Sequence, residues 1–411
     1  MESKNLLLTS ADAALVPAFA GMSSMHHAYC STLYSKPALP HQPSPLSRDE
    51  SDEISGLATL KIDSKNKNAI IAIGTNNYFH QAVALWRSIK CFEKKSDFIF
   101  FVIGYDEKDP DYQDAEFTVL DAEVLFSDEE LTWKQFLFQY SAKQVVCALK
   151  PLALLYTLKK YEKVIYLDID IKLFGPLKTG WEALEGADLA LTPHYYHPIP
   201  TGLYNENFRL QVRMSGIFNA GYIGATRLGG GFLKWWWEQT KHNCIVAIVH
   251  GIFGDQKWLD NAIGLVQRLH IIQDRSYNVA YWNLHERNLH KKQGRYLVGK
   301  EPLTFFHFSG LSKESNFSQR KNEPLFCRLF REYYEELEQE REKISPKEYP
   351  FSHFEDGELI DDLWREWMRR GVDELEKTKD PFLLNRSARE QIEEAMLRQP
   401  HQFRPKLERE I

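Results

Sequence analysis

The amino-acid sequence predicts an α/β fold in which helices flank a mostly parallel central sheet, with a further helical region at the C-terminus. Residues 69–126 alternate apolar runs with a helical repeat of apolar positions, the βαβ pattern of a parallel sheet. Residues 163–167 (KVIYL) form an apolar run typical of a strand that is buried on both faces. Beyond residue 325 the sequence becomes charged and amphipathic, which indicates helices.

The individual elements follow from the same patterns along the chain. Residues 69–74 (AIIAIG) predict the first strand, and apolar residues at helical spacing over 83–92 predict the helix after it. A helical stretch over 136–161 contains Pro151, which should kink or divide it. Residues 194–214 are predicted to be an irregular polar loop. The remaining predicted elements are strands at 98–103, 117–126, 163–167, 188–193, 269–272 and 303–306, and helices beginning at residues 232 and 254.

These elements divide the chain into three predicted regions. Residues 1–67 show no sustained period, and the Pro, Ser and acidic residues over 36–53 predict a disordered or weakly ordered tail. Residues 68–325 contain the predicted strands and form an α/β domain. Residues 326–411 form a helical C-terminal extension.

Composition and charge argue against several classes of function. The 411 residues are 43% hydrophobic, enough for a large core, and the formal net charge of -6 gives no basic field for nucleic acid. The five cysteines are scattered without a Cys-x-x-Cys pair, which favours reduced thiols in the cytoplasm. No apolar run is long enough to span a membrane, and Asp12 interrupts the apolar residues 6–22, which makes them a poor signal peptide.

Two carboxylates follow the strand at 163–167. Asp168 and Asp170 stand where ligands bind in open α/β sheets, outside the carboxyl end of a strand. They can share a divalent cation, which neutralises charge on a departing diphosphate. One alternative is a solvated turn, since Asp-x-Asp is frequent by chance. Another is a haloacid-dehalogenase-like phosphatase with Asp168 as nucleophile, although Lys172 stands where those enzymes usually have Thr or Val.

Four other polar residues adjoin apolar segments, and each has a structural alternative. Lys150, before Pro151, is either a solvated helix residue or a contact for phosphate or sugar. Asn219 either ties down a turn or faces a sugar hydroxyl. Asp255 either caps a helix or enters a site. His307 leaves a predicted strand, where an imidazole can complete an oxygen-rich metal site, although a lone histidine is usually structural.

Four motifs in one order resemble the retaining glycosyltransferases of family 8, the glycogenin-like group with a GT-A fold. The similarity covers about residues 68–315, and the segments WWWEQT, YNVAYWNLHER and FFHFSG are most similar to bacterial enzymes found among polysaccharide or cell-surface sugar genes. The resemblance implies a GT-A fold for the α/β domain. The motifs are residues 168–170 (DID), 218–221 (FNAG), 254–260 (GDQKWLD) and 307–313 (HFSGLSK).

The resemblance implies a site for Mn²⁺ or Mg²⁺. In that family the two strand-end aspartates and the histidine of a His-x-x-Gly-x-x-Lys motif bind the metal, and the matching residues here are Asp168, Asp170 and His307. The metal holds the diphosphate of a nucleotide sugar, with a UDP-sugar as the favoured donor. Asp168 thereby also contacts the donor. The lysine of the motif, which contacts the phosphates, is matched by Lys313, and its glycine by Gly310.

The resemblance also assigns residues to the nucleoside and the sugar. Family members hold the nucleoside with residues after the first strand, matched here by Thr75, Asn77 and Tyr78. Thr75 stands where they commonly have Asp, and Tyr78 is suited to stacking on the base. The donor sugar is bordered by Asn219, Asp255 and Gln256.

The residues that the resemblance places in catalysis are Asn219, Asp255 and Gln256, with Lys150 among the donor-binding residues. Lys150 would support Lys313 in stabilising the leaving diphosphate. Gln256 would orient the sugar, since an amide is a weak nucleophile. Asp255 would be the general base if the reaction inverts the anomeric configuration.

The implied function is metal-dependent transfer of a hexosyl or related sugar from a nucleotide sugar to an acceptor hydroxyl. Retention of configuration and a role in glycan or polysaccharide biosynthesis follow from the family. The expected acceptor is a glycan, a lipid-linked sugar or a protein, and the expected location is the cytoplasm, with peripheral membrane association compatible with it. Two alternatives stay open: a phosphatase that uses Asp168, and a sugar-nucleotide binding protein without turnover.

Overall fold

The structure is a computed structural model, and it describes residues 62, 64–127, 131–310 and 324–398. The predicted tail at residues 1–67 lies outside the described residues except for residues 62 and 64–67. Lys313 also lies outside them, and Gly310 is the last described residue before that gap.

A seven-stranded sheet lies at the centre of the described residues. Its spatial order is β10-β6-β7-β4-β1-β2-β3, and β7 alone among these strands runs antiparallel to its neighbours. With helices against it, this mostly parallel sheet confirms the predicted fold class. The strands are β1 (Asn68–Thr75), β2 (Ser96–Ile103), β3 (Thr118–Asp121), β4 (Lys163–Leu167), β5 (Ile171–Leu173), β6 (Leu189–Pro193), β7 (Phe218–Thr226), β8 (Val246–Ala247), β9 (Ile252–Phe253), β10 (Leu269–Ile271), β11 (Leu289–Lys292), β12 (Arg295–Val298), β13 (Glu301–Pro302) and β14 (Phe305–His307).

The helices begin where the sequence supplies caps or breaks. Thr132 and Gln135 form a capping box at the start of α3, and the Asp361 carboxylate accepts two backbone N–H groups at the start of α12. The helices are α1 (Phe79–Phe92), α2 (Pro110–Gln113), α3 (Trp133–Phe138), α4 (Ala142–Ala148), α5 (Lys150–Leu158), α6 (Lys178–Ala183), α7 (Glu206–Met214), α8 (Gly230–Asn243), α9 (Ala262–Leu265), α10 (Leu284–Arg287), α11 (Pro324–Arg341), α12 (Asp362–Arg370), α13 (Asp373–Glu376) and α14 (Arg386–Arg398).

Four predicted elements differ in detail from the structure. The strand predicted at 117–126 ends at Asp121, where the Asp121 side chain accepts from the Glu123 N–H and caps a 3₁₀ helix, Ala122–Leu125. The helical stretch predicted at 136–161 is divided among α3, α4 and α5, with Pro151 in the first turn of α5, where a missing N–H costs no hydrogen bond. The predicted loop at 194–214 contains helix α7, because the Asn205 side chain accepts from the Phe208 N–H as an N-cap. The helix predicted to begin at residue 254 is a short 3₁₀ helix, Gln256–Asn261.

Apolar side chains fill both faces of the sheet. One buried cluster includes Phe136, Tyr156 and Trp236, and the other, on the side of α1, includes Phe79 and Tyr222. The C-terminal helices share the first of these clusters. Their contribution consists of Phe354, Ile360, Trp364, Met368, Val372, Leu375, Phe382, Ile392 and Met396.

Candidate active site

The candidate site lies where β4 ends and the chain turns into β5. Asp168 follows β4 directly, and its backbone N–H donates to the Gly221 carbonyl of the neighbouring strand β7 at 2.9 Å. Strand β5 then pairs antiparallel with β14, so that Ile171 is opposite His307. The Phe308 N–H donates to the Asp170 carbonyl at 2.8 Å and extends this pairing. The two motifs are therefore brought together by backbone hydrogen bonds.

The three predicted metal ligands meet in this pairing. One ligand atom from each of Asp168, Asp170 and His307 lies within 4.8 Å of the other two. His307 Nε2 is 3.0 Å from Asp170 Oδ1 and 3.7 Å from Asp168 Oδ2. The imidazole is buried, whereas the two carboxylates are partly exposed at 24% and 29%. The group is thus open on its carboxylate side.

The site has the properties of a divalent-cation site. Two carboxylates and an imidazole form a donor set that suits Mn²⁺, and the carboxylates alone suit Mg²⁺. Among the described residues, Asp170 Oδ1 is buried without a hydrogen-bond donor. A cation between these groups would satisfy the oxygen.

The His307 imidazole packs closely against Gly221. A Cβ on Gly221 would lie 2.4 Å from His307 Cε1 and 2.7 Å from its Nδ1, far inside van der Waals contact. On its other side the ring packs edge-on against Trp282, with centroids 5.3 Å apart. The glycine of the FNAG motif therefore leaves the space that the His307 imidazole occupies.

Lys150 is a buried cation between two acidic residues of the site. Its Nζ lies 3.0 Å from Asp168 Oδ1, 2.9 Å from Asp255 Oδ2 and 3.1 Å from the Ala220 carbonyl. Burial alone would lower the pKa of Lys150, but Asp168 and Asp255 together raise it well above the usual value. The ammonium therefore stays charged and links the DID and DQ motifs.

The residues assigned to the donor sugar are contiguous. Asn219 is buried, and its Nδ2 donates to Gln256 Oε1 at 3.3 Å. The Ala220 N–H donates to the same oxygen at 3.4 Å. Asp255 precedes Gln256 at the start of the 3₁₀ helix and reaches Lys150. The structure thus brings together Asn219, Asp255 and Gln256 beside Asp168, Asp170 and His307.

The residues assigned to the nucleoside lie at the carboxyl end of β1, the strand next to β4. Thr75 is buried and donates through Oγ1 to Asn77 Oδ1 at 2.6 Å. Tyr78 is 44% exposed, which leaves part of its ring uncovered by protein. Because β1 and β4 are parallel, their carboxyl ends share one edge of the sheet. Gly310, with a φ of 73°, lies in the turn after β14.

Three residues of the site were not predicted from the sequence. Asn278 Oδ1 lies 3.2 Å from His307 Nδ1. The Tyr166 hydroxyl donates to Asp168 Oδ1 at 2.7 Å, and His194 Nε2 lies 3.5 Å from Asn219 Nδ2. Tyr166 lies inside an apolar strand and His194 at the start of a polar loop. In the sequence, the only indication for Asn278 is that it is a polar residue inside the aromatic segment 277–285.

Two proteins of Bacillus subtilis (strain 168) are similar in sequence to this chain. No family model matches the chain. The chain is 24% identical to YfnF of Bacillus subtilis (strain 168) over 308 residues, 70% of this chain and 99% of YfnF. It is 25% identical to YfnD of the same organism over 173 residues, 40% of this chain and 52% of YfnD, so it spans about half the length of YfnD. Both relatives are named as uncharacterized proteins.

Several solved structures with partial similarity are glycosyltransferases. The galactosyltransferase LgtC, in complex with donor and acceptor sugar analogs, is 15% identical, with 62% of this chain and 95% of LgtC covered at a TM-score of 0.37. GlyE of Streptococcus pneumoniae TIGR4 is 14% identical, with 52% and 46% covered at 0.33. Mouse xyloside xylosyltransferase 1 is 14% identical, with 60% and 99% covered at 0.36. The function proposed below stands on the site itself.

No helix among the described residues has the length and apolar composition that crossing a membrane requires.

Proposed function

We propose that this chain is a metal-dependent glycosyltransferase that moves a sugar from a nucleotide-sugar donor to an acceptor hydroxyl. One observation supports this most: the ligand atoms of Asp168, Asp170 and His307 lie within 4.8 Å of one another at the carboxyl end of β4. Ligands bind at this edge of a parallel sheet, and two carboxylates with an imidazole suit a cation that also contacts phosphate. Mn²⁺ or Mg²⁺ is the proposed cation.

The residues of the chain divide the work between phosphate and sugar. When bound, the cation supplies positive charge beside the leaving diphosphate. Lys150 keeps Asp168 and Asp255 oriented, since its Nζ lies within 3.1 Å of three protein oxygens. Asn219 and Gln256, joined by a hydrogen bond, offer amide groups to the hydroxyls of the sugar.

The proposed reaction is a balanced exchange of two bonds to the anomeric carbon. The bond from that carbon to the diphosphate oxygen breaks, and its electron pair stays on the oxygen. The acceptor hydroxyl oxygen forms the new bond, and its proton passes to the departing diphosphate. This front-face course retains the anomeric configuration. If the configuration inverts instead, Asp255 is the proposed base for the acceptor proton.

The nucleoside is proposed to bind at the end of β1. The exposed ring of Tyr78 can stack on a base, and Asn77 and Thr75 offer polar groups beside it. A UDP-sugar is the proposed donor, and Gly310 and Lys313 are proposed to contact its phosphates. The proposed setting is glycan or polysaccharide synthesis in the cytoplasm or at the membrane surface, with a glycan, a lipid-linked sugar or a protein as acceptor.

The phosphatase alternative is less compatible with the geometry of Asp168. A phosphatase of that class needs a free carboxylate oxygen on Asp168 to attack phosphorus. Asp168 Oδ1 accepts from Tyr166 at 2.7 Å and lies 3.0 Å from Lys150 Nζ, while Oδ2 faces His307 at 3.7 Å. Two protein groups therefore engage Oδ1, and Oδ2 faces the position proposed for the cation. The geometry is equally compatible with a binding protein that lacks turnover, and the experiment below distinguishes that alternative from an enzyme.

The test is a screen of UDP-, GDP- and TDP-sugars with Mn²⁺, Mg²⁺ or EDTA, read out as donor consumption, phosphate release and thermal shift. We expect one donor to be consumed only with a cation, and Asp170→Asn to lower that rate at least about 100-fold. The matched control is Asp121→Asn, since Asp121 also ends a parallel strand of the sheet but only caps the following turn. Phosphate release without nucleotide release would indicate a phosphatase, and stabilisation without donor consumption would indicate a binding protein.

A further inference from the structure

Asn278 occupies an unusual position next to the metal site. Its side chain is fully buried, and its backbone has a φ of 49°, in the left-handed region that Asn adopts more readily than most residues. The adjacent Val279 bridges to Phe306 of β14, and the His307 N–H donates to the Val279 carbonyl at 2.8 Å. This pairing holds the Asn278 amide beside the His307 ring.

The direction of each hydrogen bond around Asn278 can be deduced from a backbone amide. The Gly221 N–H donates to Asn219 Oδ1 at 3.0 Å, which identifies that atom as the carbonyl oxygen. Asn278 Nδ2 donates to the same oxygen at 3.0 Å. Asn278 Oδ1 therefore faces His307 Nδ1, at 3.2 Å. Because an amide oxygen only accepts, Nδ1 must carry a proton.

This protonation determines what the other ring nitrogen offers. With the proton on Nδ1, a neutral His307 presents the lone pair of Nε2 to Asp170 Oδ1, 3.0 Å away. Two electron-rich atoms at that distance repel each other unless a proton or a metal cation lies between them. The hydrogen-bond chain from Gly221 through Asn219 and Asn278 thus prepares His307 as a metal ligand before any metal arrives.

We propose that Asn278 is a positioning residue that holds His307 with Nδ1 protonated and Nε2 free to bind metal. It also joins the metal site to Asn219, the residue proposed to face the donor sugar. The inference rests on the metal site of the proposed function and not on sugar transfer. It can therefore hold even if the chain transfers no sugar.

Three substitutions separate this role from a merely structural one. Asn278→Gly removes the amide and suits the left-handed backbone, so a changed site cannot be attributed to backbone strain. Asn278→Asp keeps an acceptor for the Nδ1 proton. The matched control Thr192→Val removes the other partner of Asn278 Nδ2, 2.9 Å away, and leaves the chain from Gly221 to His307 intact.

Two measurements on the full chain avoid any dependence on catalysis. Mn²⁺ alone is titrated into metal-free protein, with free Mn²⁺ followed by electron paramagnetic resonance. The ring nitrogens of His307 are observed by ¹H–¹⁵N NMR in the Mg²⁺-saturated protein and assigned by comparison with His307→Gln. We expect Asn278→Gly to weaken Mn²⁺ binding about 10- to 100-fold and to lose the Nδ1–H signal.

The other variants define what would overturn the proposal. Asn278→Asp should keep the Nδ1–H signal, and Thr192→Val should keep both that signal and Mn²⁺ affinity. Unchanged Mn²⁺ affinity in Asn278→Gly, or a wild-type His307 protonated on Nε2, would refute the role of Asn278. If Asn278→Gly does not fold, as judged by circular dichroism, the wild-type and Asn278→Asp spectra decide the question. If neither the wild type nor any variant binds Mn²⁺, the result would count against the metal site itself.

Discussion

Gly221 provides the most direct test of the site at the scale of a single residue. The Cβ of an alanine there would lie 2.4 Å from His307 Cε1 and 2.8 Å from Asn219 Oδ1. Because the strand backbone cannot withdraw, Gly221→Ala should displace the imidazole and weaken Mn²⁺ binding about 10- to 100-fold in a titration of metal-free protein.

The matched control for this substitution lies on the same strand. A Cβ on Gly224 would lie 3.2 Å from the Ala190 and Leu184 side chains and away from His307. Gly224→Ala should therefore cost some stability but leave Mn²⁺ affinity unchanged. Equal affinities in the two variants would show that His307 does not bind the metal.

His194 predicts a dependence of stability on pH. Burial lowers the pKa of His194 to about 4, from an ordinary value near 6.5, although the Gly216 carbonyl opposes this shift. The unfolded chain therefore binds a proton that the folded chain does not, and stability is lost as pH falls from 6.5 toward 4. Between pH 7 and 5 we expect His194 to cost the wild type about 2 kcal/mol in the free energy of unfolding. His194→Gln should lack this part of the loss, as measured by urea unfolding. The exposed His353→Gln should keep the wild-type dependence.

The sequence predicts the site residues whose chemistry is distinctive. Asp168, Asp170 and His307 carry strong ligands at strand ends, and the structure places them together. Asn278 could not be predicted, because its importance depends on the direction of hydrogen bonds to residues distant in the chain. An asparagine in a loop has many equally good uses, and only the folded geometry selects one.

At the scale of elements, helix α5 places a charge beneath the site. Lys150→Met would leave Asp168 and Asp255 without their shared counter-charge in a buried environment. We expect a loss of about 3 kcal/mol in the free energy of unfolding, partly restored by Mn²⁺ because a cation replaces the missing charge.

The control for Lys150 is a lysine in an exposed pair. Lys67 and Glu162 have side chains that are 75% and 54% exposed. Lys67→Met should therefore change the free energy of unfolding little, and Mn²⁺ should not alter its difference from the wild type. A similar response of both variants to Mn²⁺ would contradict the assignment of Lys150 to the site.

Apolar runs predicted six of the seven strands of the central sheet, all except β7, because strands buried on both faces leave continuous apolar runs. Apolar periodicity failed for α7, in which apolar and polar residues alternate over 208–214 and only Phe208 and Val212 are buried. The sequence signal for this helix is its N-cap residue, Asn205, which a search for apolar periodicity does not detect. The helix predicted from residue 254 is a short 3₁₀ helix, Gln256–Asn261, for a similar reason. No apolar repeat at helical spacing determines its backbone, which instead positions residues of the site.

At the scale of the described molecule, the C-terminal helices are part of the core. Trp364 is 4% exposed and packs edge-on against Phe354, with ring centroids 5.5 Å apart. We expect Trp364→Ala to lower the free energy of unfolding by about 3 to 5 kcal/mol, measured by denaturant titration. The neighbouring Leu363 is 49% exposed, and Leu363→Ala should change it by less than about 0.5 kcal/mol.

The sequence predicts these helices by their amphipathic pattern but not where they pack. An apolar stripe specifies that a helix needs a partner surface, and several surfaces can meet that need. The partner here is the cluster around α3, where the Arg365 guanidinium also donates to the Phe138 carbonyl at 3.2 Å. Residues 326–411 remain a predicted extension by composition, while their described part shares the core of the sheet.

The pairing of β5 with β14 also sets an order of events during synthesis of the chain. Asp168 and Asp170 leave the ribosome long before Phe305–His307 is translated. Until that last strand emerges and joins its partner, a nascent polypeptide has two acidic groups but no imidazole beside them. The proposed cation site can therefore be completed only at the closing stage of biogenesis, after the α/β region has been almost completely made.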